Sequence, residues 1–167
     1  MGDERMRGNR YSHKLNSMDY EALMHLAIEE AKESGNDVPV GAILLDPEGK
    51  VVARGHNRKE ANNDPTAHAE IEVLREACAI QGDWRLRGYS LIVTLEPCLM
   101  CAGAIRAARI QRVIYGATES NSGAGGSAYD VLRDRRLGGS LCEVYSEVLS
   151  RECEALITDH FRIRRSG

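Results

Sequence analysis

Two short stretches, His68-Ala69-Glu70 and Pro97-Cys98-Leu99-Met100-Cys101, decide how this sequence folds and what it can bind. They contain an imidazole and two thiols, the side chains that most often bind zinc in proteins. A structural zinc site is closed by four protein ligands, whereas a catalytic site keeps three and leaves the fourth position open. His68, Cys98 and Cys101 make three ligands, and Glu70 is a carboxylate beside the open position. The pattern predicts one Zn²⁺ in a hydrolytic site, with Glu70 as the catalytic acid–base group.

Two other interpretations of the cysteine pair are weaker. A structural zinc ribbon needs a second Cys-x-x-Cys, but the remaining cysteines, Cys78, Cys142 and Cys153, are scattered singly. A redox pair would account for two thiols and leave the histidine and the glutamate without a role. The whole pattern, His-x-Glu followed by Pro-Cys-x-x-Cys, is the signature of zinc nucleobase deaminases.

The resemblance extends beyond this signature. From about Tyr20 to Arg165 the chain resembles the bacterial tRNA adenosine deaminases of the cytidine deaminase-like superfamily, which convert the wobble adenosine of an anticodon to inosine and release ammonia. The signature alone indicates only the superfamily, and the flanking stretches favour the tRNA branch. The stretches that carry the resemblance are residues 38–42, 55–58, 64–71, 93–98, 101–104, 112–117 and 161–165.

Membership of this family implies a fold, a partner and a set of contacts. The fold would be a three-layer α/β/α sandwich with a central mixed β-sheet, and the protein would be a homodimer with one zinc ion per subunit. The substrate would be a tRNA anticodon stem-loop. The substrate-binding positions implied by the resemblance are Asn57, Val40, Ala69 (through its backbone N–H) and Glu119, and the RNA-binding positions are Arg162, Arg164 and Arg165.

Some of these positions have a simpler explanation. An Asn side chain offers a donor and an acceptor to a purine edge, but Asn57 is equally suited to close a loop. A buried strand valine would look the same as Val40. Two segments also depart from the family: 118–123 has no positive charge, and 138–140 is Gly-Gly-Ser where Asn-His-Arg is common. These departures remove plausible phosphate or sugar contacts but leave the metal ligands in place.

The bulk composition predicts one globular domain. The chain has 167 residues, and we expect a polar tail at 1–17 and a single deaminase domain at 18–167. No apolar stretch approaches the roughly 20 residues that cross a bilayer. Five cysteines, two of them assigned to zinc, argue against a secreted disulfide framework, so we expect a cytoplasmic protein without a membrane partner.

The charge of the chain does not decide whether it binds RNA. The net charge is −3, whereas phosphate contacts normally require basic surface. Basic residues are grouped at 5–14, 133–136 and 162–165, and only the last group gains weight from the resemblance. A free nucleobase or nucleoside deaminase, or a zinc-stabilised RNA-binding module without activity, are the alternatives. The basic end argues against the first, and Glu70 argues against the second.

The pattern of apolar residues predicts alternating helices and strands. Ser17 is expected to cap the first helix, Pro97 to lie in the first turn of another, and the small residues of that helix to pack on the sheet. The predicted elements are a helix at 18–34, a hairpin at 40–45 and 51–55, a polar loop at 57–66, a helix at 67–81, a strand at 90–95, a helix at 98–108, a strand at 112–115, a loop at 120–127, a strand at 142–145 and a helix at 149–161.

Overall fold

The computed structural model describes residues 18–167, so the predicted tail at 1–17 and its basic residues lie outside the described residues. The described elements alternate between helix and strand, as expected. They are α1 (Tyr20–Lys32), β1 (Gly41–Leu45), β2 (Val51–His56), α2 (Lys59–Asn62), α3 (Ala69–Gln81), β3 (Ser90–Leu95), α4 (Leu99–Ala107), β4 (Arg112–Ala117), a 3₁₀ turn (Arg135–Leu137), β5 (Glu143–Tyr145) and α5 (Ser150–Arg165).

The five strands form one mixed sheet in the order β2-β1-β3-β4-β5. β1 is antiparallel to both β2 and β3, and β4 and β5 are parallel to β3. The predicted hairpin is therefore present, and β3 is the central strand, as its apolar sequence indicated. The parallel neighbours β3 and β4 end at the same edge of the sheet, beside the start of α4.

Helices cover both faces of the sheet, which confirms the three-layer α/β/α sandwich. One core lies between the sheet and the helices α3 and α4, with Leu44, Val73 and Ile105 fully buried. The other lies between the sheet and the helices α1 and α5, with Met24 and Ile92 fully buried. Because successive strand residues point to opposite faces, each central strand contributes to both cores and is mostly apolar.

The stretch at 38–42 owes part of its sequence to close packing. A Cβ at Gly41 would lie 2.0 Å from the backbone oxygen of Ala27, so α1 is in direct backbone contact with β1. The N–H of Gly41 donates to the hydroxyl of Thr94 on β3 at 3.1 Å. This glycine therefore sets how closely the first helix approaches the sheet.

Several local predictions need correction. Asp19 caps α1, accepting from the N–H of Ala22 at 3.0 Å, whereas Ser17 lies outside the described residues. Pro97 precedes the helix and Cys98 is its cap, because the chain stays extended at Cys98 with ψ 176°. The predicted loop at 57–66 contains the short helix α2, whose first N–H groups are held by the carboxylate of Asp37.

Two further corrections concern the surfaces of α4 and α5. Ala102 is buried against the sheet, but Gly103 and Ala107 are exposed, so only part of the small-residue set packs on the sheet. α5 continues to Arg165, past the predicted end at 161, and places Arg162, Arg164 and Arg165 on its last turns. Among residues 18–167, none of the helices is long and apolar enough to cross a membrane.

Candidate active site

The three predicted metal ligands come together at the start of two helices. His68 is the cap of α3 and Cys98 is the cap of α4, and both have extended backbone conformations. The Nδ1 atom of His68 lies 3.7 Å from the Sγ atom of Cys98 and 3.5 Å from that of Cys101. The three donor atoms all lie within 4.8 Å of one another. Residues 68 and 98–101 thus converge on one point.

These distances fit a zinc ion. Zinc bonds of about 2.3 Å to sulfur and about 2.0 Å to nitrogen, arranged as a tetrahedron, require sulfur–nitrogen separations of about 3.5 Å. Two thiolates and one neutral imidazole are a common catalytic donor set, with a fourth position left for solvent or substrate. The residues present therefore match Zn²⁺ in donor type, number and spacing.

The electrostatics of the thiols favour metal binding. A hydrogen bond from the thiol of Cys101 lowers the pKa of Cys98 to about 3, and the contact with His68 acts in the same direction. The pKa of Cys101 is raised, first by that hydrogen bond and then by burial. The pKa of His68 is raised by its contact with Cys98. A metal ion that takes the place of the shared proton converts both cysteines to thiolates, so metal binding releases protons.

Glu70 lies beside the ligands in a desolvated position. It follows the His68 cap by two residues, so it sits in the first turn of α3, where both side chains face one cavity. Only 4% of Glu70 is exposed. Burial raises its pKa to about 7. A carboxyl group with a pKa near neutrality can accept a proton and return it within one catalytic cycle.

One cavity collects most of the predicted residues. Its volume is about 230 Å³. The described residues that line it come from the 36–40 segment, residue 57 and the start of α2, the start of α3, the segment from β3 to α4, the loop after β4 and the end of α5. They are Asn36, Asp37, Val38, Val40, Asn57, Lys59, Glu60, His68, Glu70, Leu95, Glu96, Cys98, Glu119, Ser122 and Arg164.

Asn57 lines this cavity and also fixes its wall. Its Oδ1 atom accepts from the N–H of Ala69 at 2.9 Å, and its Nδ2 atom donates to the carbonyl of Val38 at 3.0 Å. The loop-closing explanation therefore describes real contacts, and one Nδ2 hydrogen and one Oδ1 lone pair are left over. The N–H of Ala69 donates to Asn57, and the contact of that N–H with the substrate stays a prediction.

The remaining predicted residues differ in position. Val40 is 4% exposed and lines the cavity, and so does Glu119. Arg164 also lines the cavity, where its guanidinium donates to the carbonyl of Asn36 at 2.6 Å. Arg162 is on the surface, paired with Asp159 at 3.0 Å, and Arg165 is exposed. The three arginines thus do not act as one group.

Two charged residues with structural importance were not predicted. Glu96 is 2% exposed and accepts hydrogen bonds from the loop that follows β4. Arg106 is 6% exposed, and its guanidinium donates to the backbone carbonyls of Val131, Asp134, Gly138 and Ser140. The available signal was a charged residue inside an otherwise apolar buried element, at the end of β3 for Glu96 and inside α4 for Arg106.

Comparison with known proteins identifies the family. The family model for the cytidine and deoxycytidylate deaminase zinc-binding region matches residues 17–117, more than half of the chain. A tRNA-specific adenosine deaminase of Bacillus subtilis is 42% identical over 144 residues, which cover 85% of this chain and 88% of the relative. The chain belongs to the tRNA-specific adenosine deaminase family. A Haemophilus influenzae member is 40% identical over 154 residues, covering 91% of this chain and 88% of its own length.

Solved structures agree with this assignment. A structure from a study of A-to-I editing by tRNA:A34 deaminases superimposes with a TM-score of 0.76 at 43% identity, covering 81% of this chain and 98% of that one. A guanine deaminase from Nitrosomonas europaea has a TM-score of 0.72 at 22% identity and covers 84% of this chain and 83% of its own, which shows the shared fold only. The predicted family and fold are confirmed. The family is described as zinc-binding, and His68, Cys98 and Cys101 are positioned to hold a metal ion.

Proposed function

We propose that this protein is a zinc-dependent hydrolytic deaminase that converts the wobble adenosine of a tRNA anticodon stem-loop to inosine and releases ammonia. The observation that carries the proposal is the cavity lined by the zinc ligands His68 and Cys98, the buried Glu70 and an arginine of α5, with the third ligand Cys101 grouped with the other two. The similarity to tRNA-specific adenosine deaminases over most of the chain supports the choice of substrate.

The proposed chemistry is a hydrolysis with balanced proton transfers. Zinc held by the three ligands supplies Lewis acidity, which lowers the pKa of water toward neutrality. Glu70 takes a proton from the attacking water and passes it to the purine ring nitrogen. Glu70 then takes the proton of the hydroxyl that the attack has placed on the purine carbon and gives it to the departing amino group. The carbonyl of inosine forms as ammonia leaves, so adenosine and water give inosine and ammonia. The raised pKa of Glu70 suits both directions of transfer.

The proposed substrate contacts divide between the base and the RNA backbone. Asn57 and Val40 hold the flipped base. Asn57 binds it through the Nδ2 hydrogen and the Oδ1 lone pair that its contacts within the protein leave over, and Val40 provides an apolar contact. Glu119 lies on the facing wall, within the same cavity. Arg162 and Arg165 are exposed on α5 and contact phosphates outside the cavity, and Arg164 acts at the rim.

The proposed assembly is a homodimer formed through an apolar surface of α3 and α4. We call this surface the α3–α4 patch; it is formed by Ile71, Leu74, Arg75, Cys78, Trp84, Ala104, Ala107 and Ala108. Within this patch, 51% of the Trp84 surface is exposed. Exposed apolar surface of this kind is typical of protein–protein contacts. We also propose that residues 18–167 act as one deaminase domain in the cytoplasm, where its tRNA substrate is found.

The proposed substrate can be tested directly. The zinc-loaded protein is incubated separately with an anticodon stem-loop that carries adenosine at the wobble position, with adenosine, with cytidine and with guanine. Ammonia release and inosine in the RNA digest are measured. We expect turnover of the stem-loop alone, because a free nucleoside lacks the backbone contacts of α5. Turnover of a free base or nucleoside without turnover of the RNA would assign the protein to small-molecule deamination instead.

A further inference from the structure

Glu96, the last residue before Pro97 and Cys98, is a buried carboxylate that takes no part in the chemistry above. Its two oxygen atoms accept from backbone N–H groups of Glu119, Gly125 and Ser127 at 2.9, 3.0 and 3.0 Å. The hydroxyl of Ser127 donates to it as well. Within the part of the chain that the structure describes, no salt bridge reaches Glu96. The loop at 118–127 is thus wrapped around one carboxylate.

The loop has the sequence needed for this close approach. A Cβ at Gly123 would lie 2.4 Å from the carboxylate carbon of Glu96, and a Cβ at Gly125 would lie 2.9 Å from the ring of Tyr115. Side chains at either position would push the loop away from the carboxylate. The glycines at 123 and 125 therefore let backbone N–H groups reach a negative charge that lies below the protein surface.

This loop is also a wall of the active-site cavity. Glu119 and Ser122, which belong to it, line the cavity together with the zinc ligands His68 and Cys98. On its other side the N–H of Ala124 donates to the carbonyl of Pro97 at 2.7 Å, next to the ligand Cys98. A displacement of the loop would therefore change the shape of the cavity. Because Gly123 also forms a backbone bridge with Cys98, the zinc content has to be measured beside any effect on substrate binding.

We propose that Glu96 is a positioning residue that fixes the 118–127 loop as the substrate-facing wall, and so determines how tightly the RNA is held. The proposal rests on the proposed function for its substrate. It assigns to Glu96 an effect on substrate binding that is separate from the zinc site, although the two are adjacent in sequence. The loop has no basic residue between 118 and 127, so its contribution comes from shape and from its polar groups.

The main test replaces one acceptor oxygen with a donor. In Glu96→Gln, an NH₂ group faces backbone N–H groups that have lost their partner. We expect KM for the anticodon stem-loop to rise about ten- to hundredfold, because a small displacement of a binding wall has effects of that size. We expect kcat to stay within about threefold and zinc content to stay at one ion per chain. Hydrogen exchange of the 119–127 amides should accelerate.

Two further variants separate positioning from general loss of stability. Gly125→Ala leaves the carboxylate of Glu96 unchanged, but its methyl group would lie too close to the ring of Tyr115 and would displace the same loop. It should therefore raise KM in the same way. Glu21→Gln, on the exposed surface of α1, makes the same chemical change away from the cavity and should have no effect on KM or on exchange.

The outcomes are distinct. Wild-type KM and wild-type exchange in Glu96→Gln would overturn the proposal, and so would a loss of zinc with a matching fall in kcat, which would make Glu96 a support of the metal site. If the wild-type protein releases no ammonia from the stem-loop, the proposed function fails. The exchange comparison would then still decide whether Glu96 fixes the loop.

Discussion

Two buried glutamates lie in the same cavity, and their surroundings give them different roles. Glu70 is desolvated and its pKa is raised to about 7, so it can exchange a proton near neutral pH. Glu96 is bonded to three backbone N–H groups and a hydroxyl, which makes it an anchor for a loop. Both residues are glutamates, and the number of hydrogen-bond donors around each carboxyl group determines whether it can transfer protons or holds a loop.

At this scale we predict that Glu70→Gln keeps zinc and loses turnover. The amide cannot accept or return a proton, and general acid–base catalysis contributes about 10²- to 10⁴-fold, so kcat should fall by at least that range. Elemental analysis and the inosine assay measure the two effects. Cys101→Ser is the contrasting variant and should lose the metal and stability together. Full activity in Glu70→Gln would reject this glutamate as the proton carrier.

The residues of the metal site could be predicted because they form two short local motifs, at 68–70 and 97–101. Glu96 and Arg106 could not be assigned in this way, since their partners are backbone groups about 20 to 35 positions away that only the folded chain brings near. Asn57 was predicted with two explanations, and the structure shows that its loop-closing contacts exist.

Among the elements, the starts of α3 and α4 and the segment at 131–140 depend on the most specific contacts. At both helix starts the cap residue is a metal ligand. The free backbone N–H groups at a helix start favour negative charge, such as that of the Cys98 thiolate. The 131–140 segment has little regular structure beyond a 3₁₀ turn. Arg106 of α4 holds it through four carbonyl groups, and no carboxylate in the described chain is hydrogen-bonded to this arginine.

We predict that Arg106→Leu lowers the free energy of unfolding by about 2–4 kcal/mol, because several buried carbonyl groups lose their donor. Thermal or urea unfolding measures the loss, and hydrogen exchange should localise it to 131–140. Arg106→Lys keeps the charge but lacks the planar set of donors, so it should restore only part of the stability. Complete rescue by lysine would mean that charge alone matters.

We also predict that the double variant Arg162→Gln and Arg165→Gln weakens binding to the stem-loop. The slope of log K against log salt concentration should become shallower by about one to two, because two phosphate contacts are lost. Both side chains are exposed on the last turns of α5, away from the cavity floor. Binding is measured across a salt series with catalytically inactive protein. Arg151→Gln, in the first turn of the same helix, is the control. An unchanged salt slope in the double variant would remove α5 from the RNA interface.

The order of the elements was predictable from the sequence, and their ends were less so. Periodicity gave each strand and each long helix, because apolar residues repeat along a whole element. The sequence places the start of α4 too early, at Pro97, because the helix cap depends on contacts that only the folded chain makes. It places the end of α5 too early, at 161, because the last turn is polar and exposed and so has no apolar pattern. The short helix α2 has no buried residue and so left no apolar pattern.

For the whole molecule, the surface that matters most besides the cavity is the α3–α4 patch. Apart from Arg75 its residues are apolar, and most of them come from the same two helices that begin at the metal ligands. A contact between two copies through this patch would therefore constrain both helices that carry the zinc site. The predicted buried side of α3 is confirmed at Ile71 and Leu74, which are buried, and Cys78 is half-buried against the core. The same three residues also line the inner edge of the patch.

We predict that Ala107→Glu converts the protein to a monomer. Ala107 is exposed in the described chain, so a glutamate there should be tolerated in the folded monomer but would introduce a charge into an apolar contact. Sedimentation at several protein concentrations measures the mass. Ala79→Glu, near the end of α3 and not among the patch residues, is the matched control. A wild-type protein that sediments as a monomer would contradict the proposed dimer.

The bond between Arg164 and the carbonyl of Asn36 has a consequence for how the protein is made. All three zinc ligands are present in the nascent chain once Cys101 has been added, whereas Arg164 is added much later. A nascent chain can therefore load its ion before the rim of its pocket is complete. Chains truncated within α5 should still bind the metal. Their active-site cavity would lack Arg164 at its rim, so they should discriminate less well among cellular RNAs.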